Sequence, residues 1–74
     1  MYPNPANSAV RVNFPIDVRI NEITITDISG KTVSTFSNLN SNYAELEVLD
    51  LPRGYYFIHA ETSKGNWSNK LLKN

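Results

Sequence analysis

Seventy-four residues, 41% hydrophobic and 19% charged, with four Pro, three Gly and no Cys, suffice for one small domain. So small a core spares few side chains for a deep catalytic cleft, and without Cys neither a disulfide framework nor a thiolate metal site can form, so packing must hold the chain. Seven Lys and Arg balance seven Asp and Glu, which speaks against a nucleic-acid or anionic-membrane binder, but the charge is uneven: Lys64, Lys70 and Lys73 meet no acid beyond residue 63, while four basic and seven acidic groups precede them.

Met1-Tyr2-Pro3-Asn4-Pro5 leads directly into a patterned segment, as expected of a domain excised from a longer chain. Ala9 to Phe14 alternates Val10, Val12 and Phe14 with Ala9, Arg11 and Asn13, the period of a half-buried strand that Pro15 ends. Glu22 to Ile28 is rich in β-branched residues, with Ile23 and Ile25 on one face and Thr24 and Thr26 on the other. Ser29-Gly30 fits a tight reversal, because Gly30 tolerates positive φ, and Lys31 to Phe36 returns as a strand with Val33 expected in the core. Asn38 to Asn42 is a polar run broken by Leu39 and is expected to be a loop; Tyr43 to Val48 then alternates Leu46 and Val48 with Glu45 and Glu47.

Asp50-Leu51-Pro52-Arg53-Gly54 has the composition of a turn that tucks Leu51 inward. Tyr55 to Thr62 starts apolar on both faces, as suits a central strand, and Lys64-Gly65-Asn66 turns it into a last strand, Trp67 to Lys73. No helical periodicity lasts more than a turn, and no stretch approaches the roughly 18 apolar residues of a membrane helix. Six or seven short strands separated by turns indicate a single all-β sandwich or small barrel over residues 1–74. Its expected core is Val10, Val12, Ile23, Ile25, Val33, Leu46, Val48, Leu51, Tyr56 and Ile58.

Catalytic and cofactor chemistry find little purchase. One imidazole, His59, is too few ligands for zinc, and no Ser sits in a Gly-x-Ser-x-Gly elbow. Glu45 and Glu47 share a strand face that reads as solvated, and the three Gly form no phosphate cradle. Asn66-Trp67-Ser68 matches an N-glycosylation acceptor, a pattern that often arises by chance. The expectation is a non-enzymatic domain without a cofactor or metal.

Four pieces occur in one order: Tyr2-Pro3-Asn4-Pro5, Ser29-Gly30-Lys31-Thr32-Val33, Leu51-Pro52-Arg53-Gly54-Tyr55-Tyr56-Phe57-Ile58, and Lys70-Leu71-Leu72-Lys73. In this order and spacing the chain resembles the C-terminal sorting domain of the type IX secretion system of Bacteroidota bacteria. The resemblance implies a seven-stranded immunoglobulin-like antiparallel β-sandwich that follows a cargo protein in the same chain. It further implies a passage through the periplasm, export across the outer membrane by the type IX translocon, and a cell-surface or secreted destination. A sortase-like surface cysteine protease commonly removes such domains. On this pattern Pro3, Asn4, Pro5, Gly30, Lys31, Leu51, Gly54 and Tyr56 are structural motif residues, and Lys70, Leu71, Leu72, Lys73 and Asn74 are the segment the translocon is expected to recognise. The alternatives are a structural immunoglobulin-like spacer and a carbohydrate-binding accessory module using Tyr55, Phe57, His59 and Trp67.

Overall fold

Strands with one apolar face need a second apolar face to cover them. The computed structural model, which describes residues 1–2 and 7–74, meets that need by stacking two sheets. The strands are β1 (Ala9–Asn13), β2 (Ile20–Asp27), β3 (Thr32–Ser41), β4 (Tyr43–Glu47), β5 (Gly54–Thr62) and β6 (Gly65–Lys73). β3, β2, β5 and β6 form, in that order, a four-stranded antiparallel sheet, and β1 pairs with β4 in a two-stranded one. Tyr2 bridges Arg11 through reciprocal backbone hydrogen bonds of 2.9 and 2.6 Å, adding a seventh extended position beside β1. The result is consistent with an immunoglobulin-like sandwich.

The pleat decides which residues enter the core. Along β5, Tyr56, Ile58 and Ala60 are buried while Tyr55, Phe57 and His59 face outward. Ile20, Ile23 and Ile25 of β2 and Leu71 of β6 complete the inner face of the large sheet; Val10 and Val12 of β1, Ala44 and Leu46 of β4, and Val48 meet it from the other side. Phe14, Leu39, Leu51 and Trp67 seal the margins half-buried, and the Phe14 and Trp67 rings meet edge to face with centroids 5.5 Å apart.

Two expectations fail, both along β3. Val33 is 37% exposed and not part of the core. Ile25 faces Ser34 and Thr26 faces Thr32, so Val33 occupies a bulge, and the inward parity belongs to Phe36, which faces Ile23. Nor is Asn38 to Asn42 a loop, because β3 runs on to Ser41. Between Glu22↔Ser37 and Ile20↔Ser41 the strand holds extra residues, and Asn40, with φ 42°, bends the chain out of the large sheet. Asn42 then ties it to the end of β1, its amide donating to the Phe14 carbonyl at 2.9 Å while its own carbonyl accepts the Phe14 N–H at 2.8 Å. The Pro3-Asn4-Pro5 motif lies outside the described residues.

Replacing Ile25 or Ile58, each fully buried, by Ala is expected to lower the unfolding free energy by about 2–5 kcal/mol. Val33→Ala, on the exposed bulge, is expected to stay within about 0.5 kcal/mol of wild type. Urea denaturation of the three variants checks the assignment; equal losses at Ile25 and Val33 would refute it.

Candidate functional site

The turn between β4 and β5 needs a backbone that ordinary residues avoid. Leu51 N–H donates to the Val48 carbonyl at 3.0 Å, and Gly54 enters β5 at φ 148°, a region where a side chain would be strained. This conformation aims successive carbonyls into the molecule. The Tyr56 hydroxyl donates to the Pro52 carbonyl at 2.6 Å, the contact of a tyrosine corner. Lys73, only 6% exposed, extends its ammonium to the Leu51 carbonyl at 3.2 Å and to the main-chain oxygen of Asn74 at 3.3 Å. Leu51, Pro52, Gly54, Tyr56 and Lys73 are therefore one structural unit, although the last belongs to the final strand.

The turn between β2 and β3 lies at the same end. Asp27 is the cross-strand partner of Tyr56, and Gly54 that of Lys73. The Gly30 N–H donates to the Asp27 carbonyl at 3.0 Å, Gly30 taking φ 89° as its place in the reversal requires. One oxygen of the Asp27 carboxylate gathers the Ser29 hydroxyl at 2.6 Å, the Ser29 N–H at 2.9 Å and the Lys31 N–H at 3.0 Å. The Ser29 hydroxyl first, and then the Lys31 amide, stabilise the ionised form and hold the Asp27 pKa below the usual carboxylate value. Between the two turns lies an open cleft of about 430 Å³.

The expected recognition segment divides in two. Lys70 is exposed, its ammonium 4.7 Å from the centre of the Tyr55 ring, and Asn74 is exposed at the end of the chain. Leu71 is fully buried, Leu72 is half-buried, and Lys73 is enclosed. Of the two lysines in the expected recognition segment, only Lys70 is therefore displayed outward. The residues paired with β5 alternate in side, and Lys73 falls on the inner side with Leu71.

The aromatic set proposed for sugars is also split. Tyr55, Phe57 and His59 lie on the outer face of β5, but Trp67 faces Ala60 across the pair and packs on the core. His59 joins three strands, its Nε2 3.1 Å from the Thr26 hydroxyl and its Nδ1 2.9 Å from that of Ser68. A cleft of about 260 Å³ beside it includes Glu22, Glu61 and Asn66. Among the described residues, no group of three or more His, Asp or Glu side chains converges in a metal-binding arrangement. Glu45 and Glu47 are exposed on β4, close to Arg11, whose guanidinium lies 4.7 Å over the Tyr43 ring.

Asp27 is the residue at this end of the sandwich that the sequence patterns overlooked. Its signal was present: Asp two residues before Ser and three before Gly is the composition of a side-chain-capped turn. Arg53, which the motif leaves unspecified, borders the cleft and is exposed.

A family model described as "Secretion system C-terminal sorting domain" matches residues 1–74. No curated protein and no solved structure matches the chain at a significant level.

Lys73→Glu would set a carboxylate against the Leu51 carbonyl and is expected to cost at least about 1–3 kcal/mol, whereas Lys70→Glu is expected to cost less than about 1 kcal/mol. Urea midpoints decide this, and equal costs would contradict the division of the tail. The Asp27 contribution is present above the ordinary carboxylate pKa and disappears as pH falls through the lowered value in the folded state. Asp27→Asn is therefore expected to flatten the loss of stability below about pH 4. Thermal melts of both proteins from pH 7 to pH 2 would show parallel acid limbs if the carboxylate has no such role.

Proposed function

From a chain that belongs to the secretion system C-terminal sorting domain family, and so is a C-terminal sorting signal for type IX secretion, we propose a specific division of labour. Signals of this family are recognised by the type IX machinery and direct export to the cell surface or the medium. In this chain the segment that the machinery reads is Lys70 to Asn74, with Lys70 and Asn74 displayed and Leu71 and Lys73 holding the display in place. The observation that carries the proposal is the clamp of Lys73 on the Leu51 carbonyl, which fixes the last strand against the motif turn and so fixes the position of Lys70.

The partner read in this way is the outer-membrane translocon, met from the periplasmic side. Residues 1–74 act as one sorting domain of a longer secreted protein whose cargo precedes it. A surface cysteine protease of sortase type then separates cargo from signal. The domain's part is passive: it presents a folded surface and carries out no bond chemistry of its own.

The test uses a reporter carrying an N-terminal secretory signal and this chain at its C-terminus, expressed in a cell with a type IX system. Lys70→Glu, which leaves Leu71 and Lys73 in place, is expected to retain at least about 90% of the reporter in the periplasm, a tenfold loss of export typical of removing one well-placed charge at an interface. Thermal melts confirm that the variant is folded. Export at the wild-type rate by the folded variant would show that the tail lysine is not read.

A further inference from the structure

The two turns described above use their polar groups inwardly. One oxygen of the Asp27 carboxylate is taken by Ser29 and Lys31, the Pro52 carbonyl by Tyr56 and the Leu51 carbonyl by Lys73. These bonds make the walls of the cleft rigid, so a partner would lose little by ordering them. What the walls present to solvent is of a different character. Ile28, at the tip of one turn, is 77% exposed, and Tyr55, beside the other, is 51% exposed. Arg53 lines the same cleft, exposed, and among the described residues the salt bridge found joins Lys64 and Asp17 and does not involve it. Lys31 follows the first turn, its N–H on the Asp27 carboxylate.

An exposed aliphatic, an exposed tyrosine and an arginine around one preformed cleft are the residue types on which interfaces concentrate their binding energy. The charge selects the occupant. Among the described residues Asp27 is the one carboxylate lining the cleft, and one of its two oxygens is engaged by Ser29 and Lys31. Arg53 lines the cleft and Lys31 stands beside Asp27, two cations against that one carboxylate, so a basic segment would be repelled, while a carboxylate could take the planar fork of Arg53. A neighbouring apolar side chain would then fall between Ile28 and Tyr55.

We infer that the cleft between the β2–β3 and β4–β5 turns is a docking site for an extended segment of a partner protein that alternates acidic and bulky apolar residues. Resting on the sorting function proposed above, that partner is a component of the export machinery. The cleft is a second point of contact, separate from the Lys70 to Asn74 tail.

The experiment is an amide-resolved NMR titration of the 74-residue chain with acetyl-Glu-Leu-Glu-Leu-Glu-amide, and with the corresponding Lys-Leu peptide. The acidic peptide is expected to shift amides of residues 28–31 and 53–55, and the basic one to leave them in place. Arg53→Glu is expected to weaken binding at least about tenfold and Ile28→Ser several-fold, with both proteins melting as wild type does. Shifts centred on His59, or equal affinity in Arg53→Glu, would overturn the site. In the reporter assay Arg53→Glu is expected to impair export. Normal export of that variant would overturn the assignment of the partner to the machinery. If Arg53→Glu is retained while Lys70→Glu is exported normally, the cleft stands and the tail proposal falls.

Discussion

The structure turns on an ammonium group enclosed in a protein of 74 residues and held by main-chain oxygens. Lys73 is 6% exposed, and burying a charge in this way is unfavourable unless hydrogen bonds replace the lost water. The Leu51 carbonyl and the main-chain oxygen of Asn74 provide them. The Leu51 carbonyl can do so because Gly54 lets the backbone turn into β5 at a φ closed to other residues, and because the Tyr56 hydroxyl holds the next carbonyl, that of Pro52. A change at any one of these positions reaches the others. The last strand and the central strand thus close on the same turn.

This linkage explains how a small domain can serve as a sorting signal. A linear tag would offer a receptor a flexible segment whose ordering opposes binding, while a folded end presents its charges already in place. The motif residues Gly30, Leu51, Gly54 and Tyr56 contribute backbone shape and internal bonds and leave the outward chemistry to their neighbours Ile28, Arg53, Tyr55 and Lys70. The motif residues specify the frame; the second set is the surface that we propose a partner touches.

The remaining faces illustrate the same economy. The outer surface of the large sheet carries Thr24, Thr26 and Thr35 beside Phe57 and His59, residues that favour extended backbone and still hydrogen-bond across strands, as Thr26 and Ser68 do with His59. On the small sheet Glu45 and Glu47 keep β4 charged along its exposed face, a common protection against unwanted strand pairing.

By itself the sequence determined the all-β class, the positions of six strands to within a few residues, the family, and eight of the twelve residues of the core cluster, missing Ile20, Ala44, Ala60 and Leu71. All of these rest on local quantities: a period of two, β-branched composition, and Gly or Pro at the turns. Only the tertiary structure decided matters of register and convergence. Val33 and Phe36, three positions apart, fall on opposite sides of a regular strand, and the pairing with β2 gave the inward place to Phe36 and put Val33 in a bulge. Asn38 to Asn42 reads as a loop because its composition is polar, yet pairing with β2 and the corner at Asn42 keep it extended. Lys70 and Lys73 are alike in a string of letters. They part because the pleat turns every second residue inward, and because a carbonyl of Leu51, 22 positions away, waits there for one ammonium and not the other.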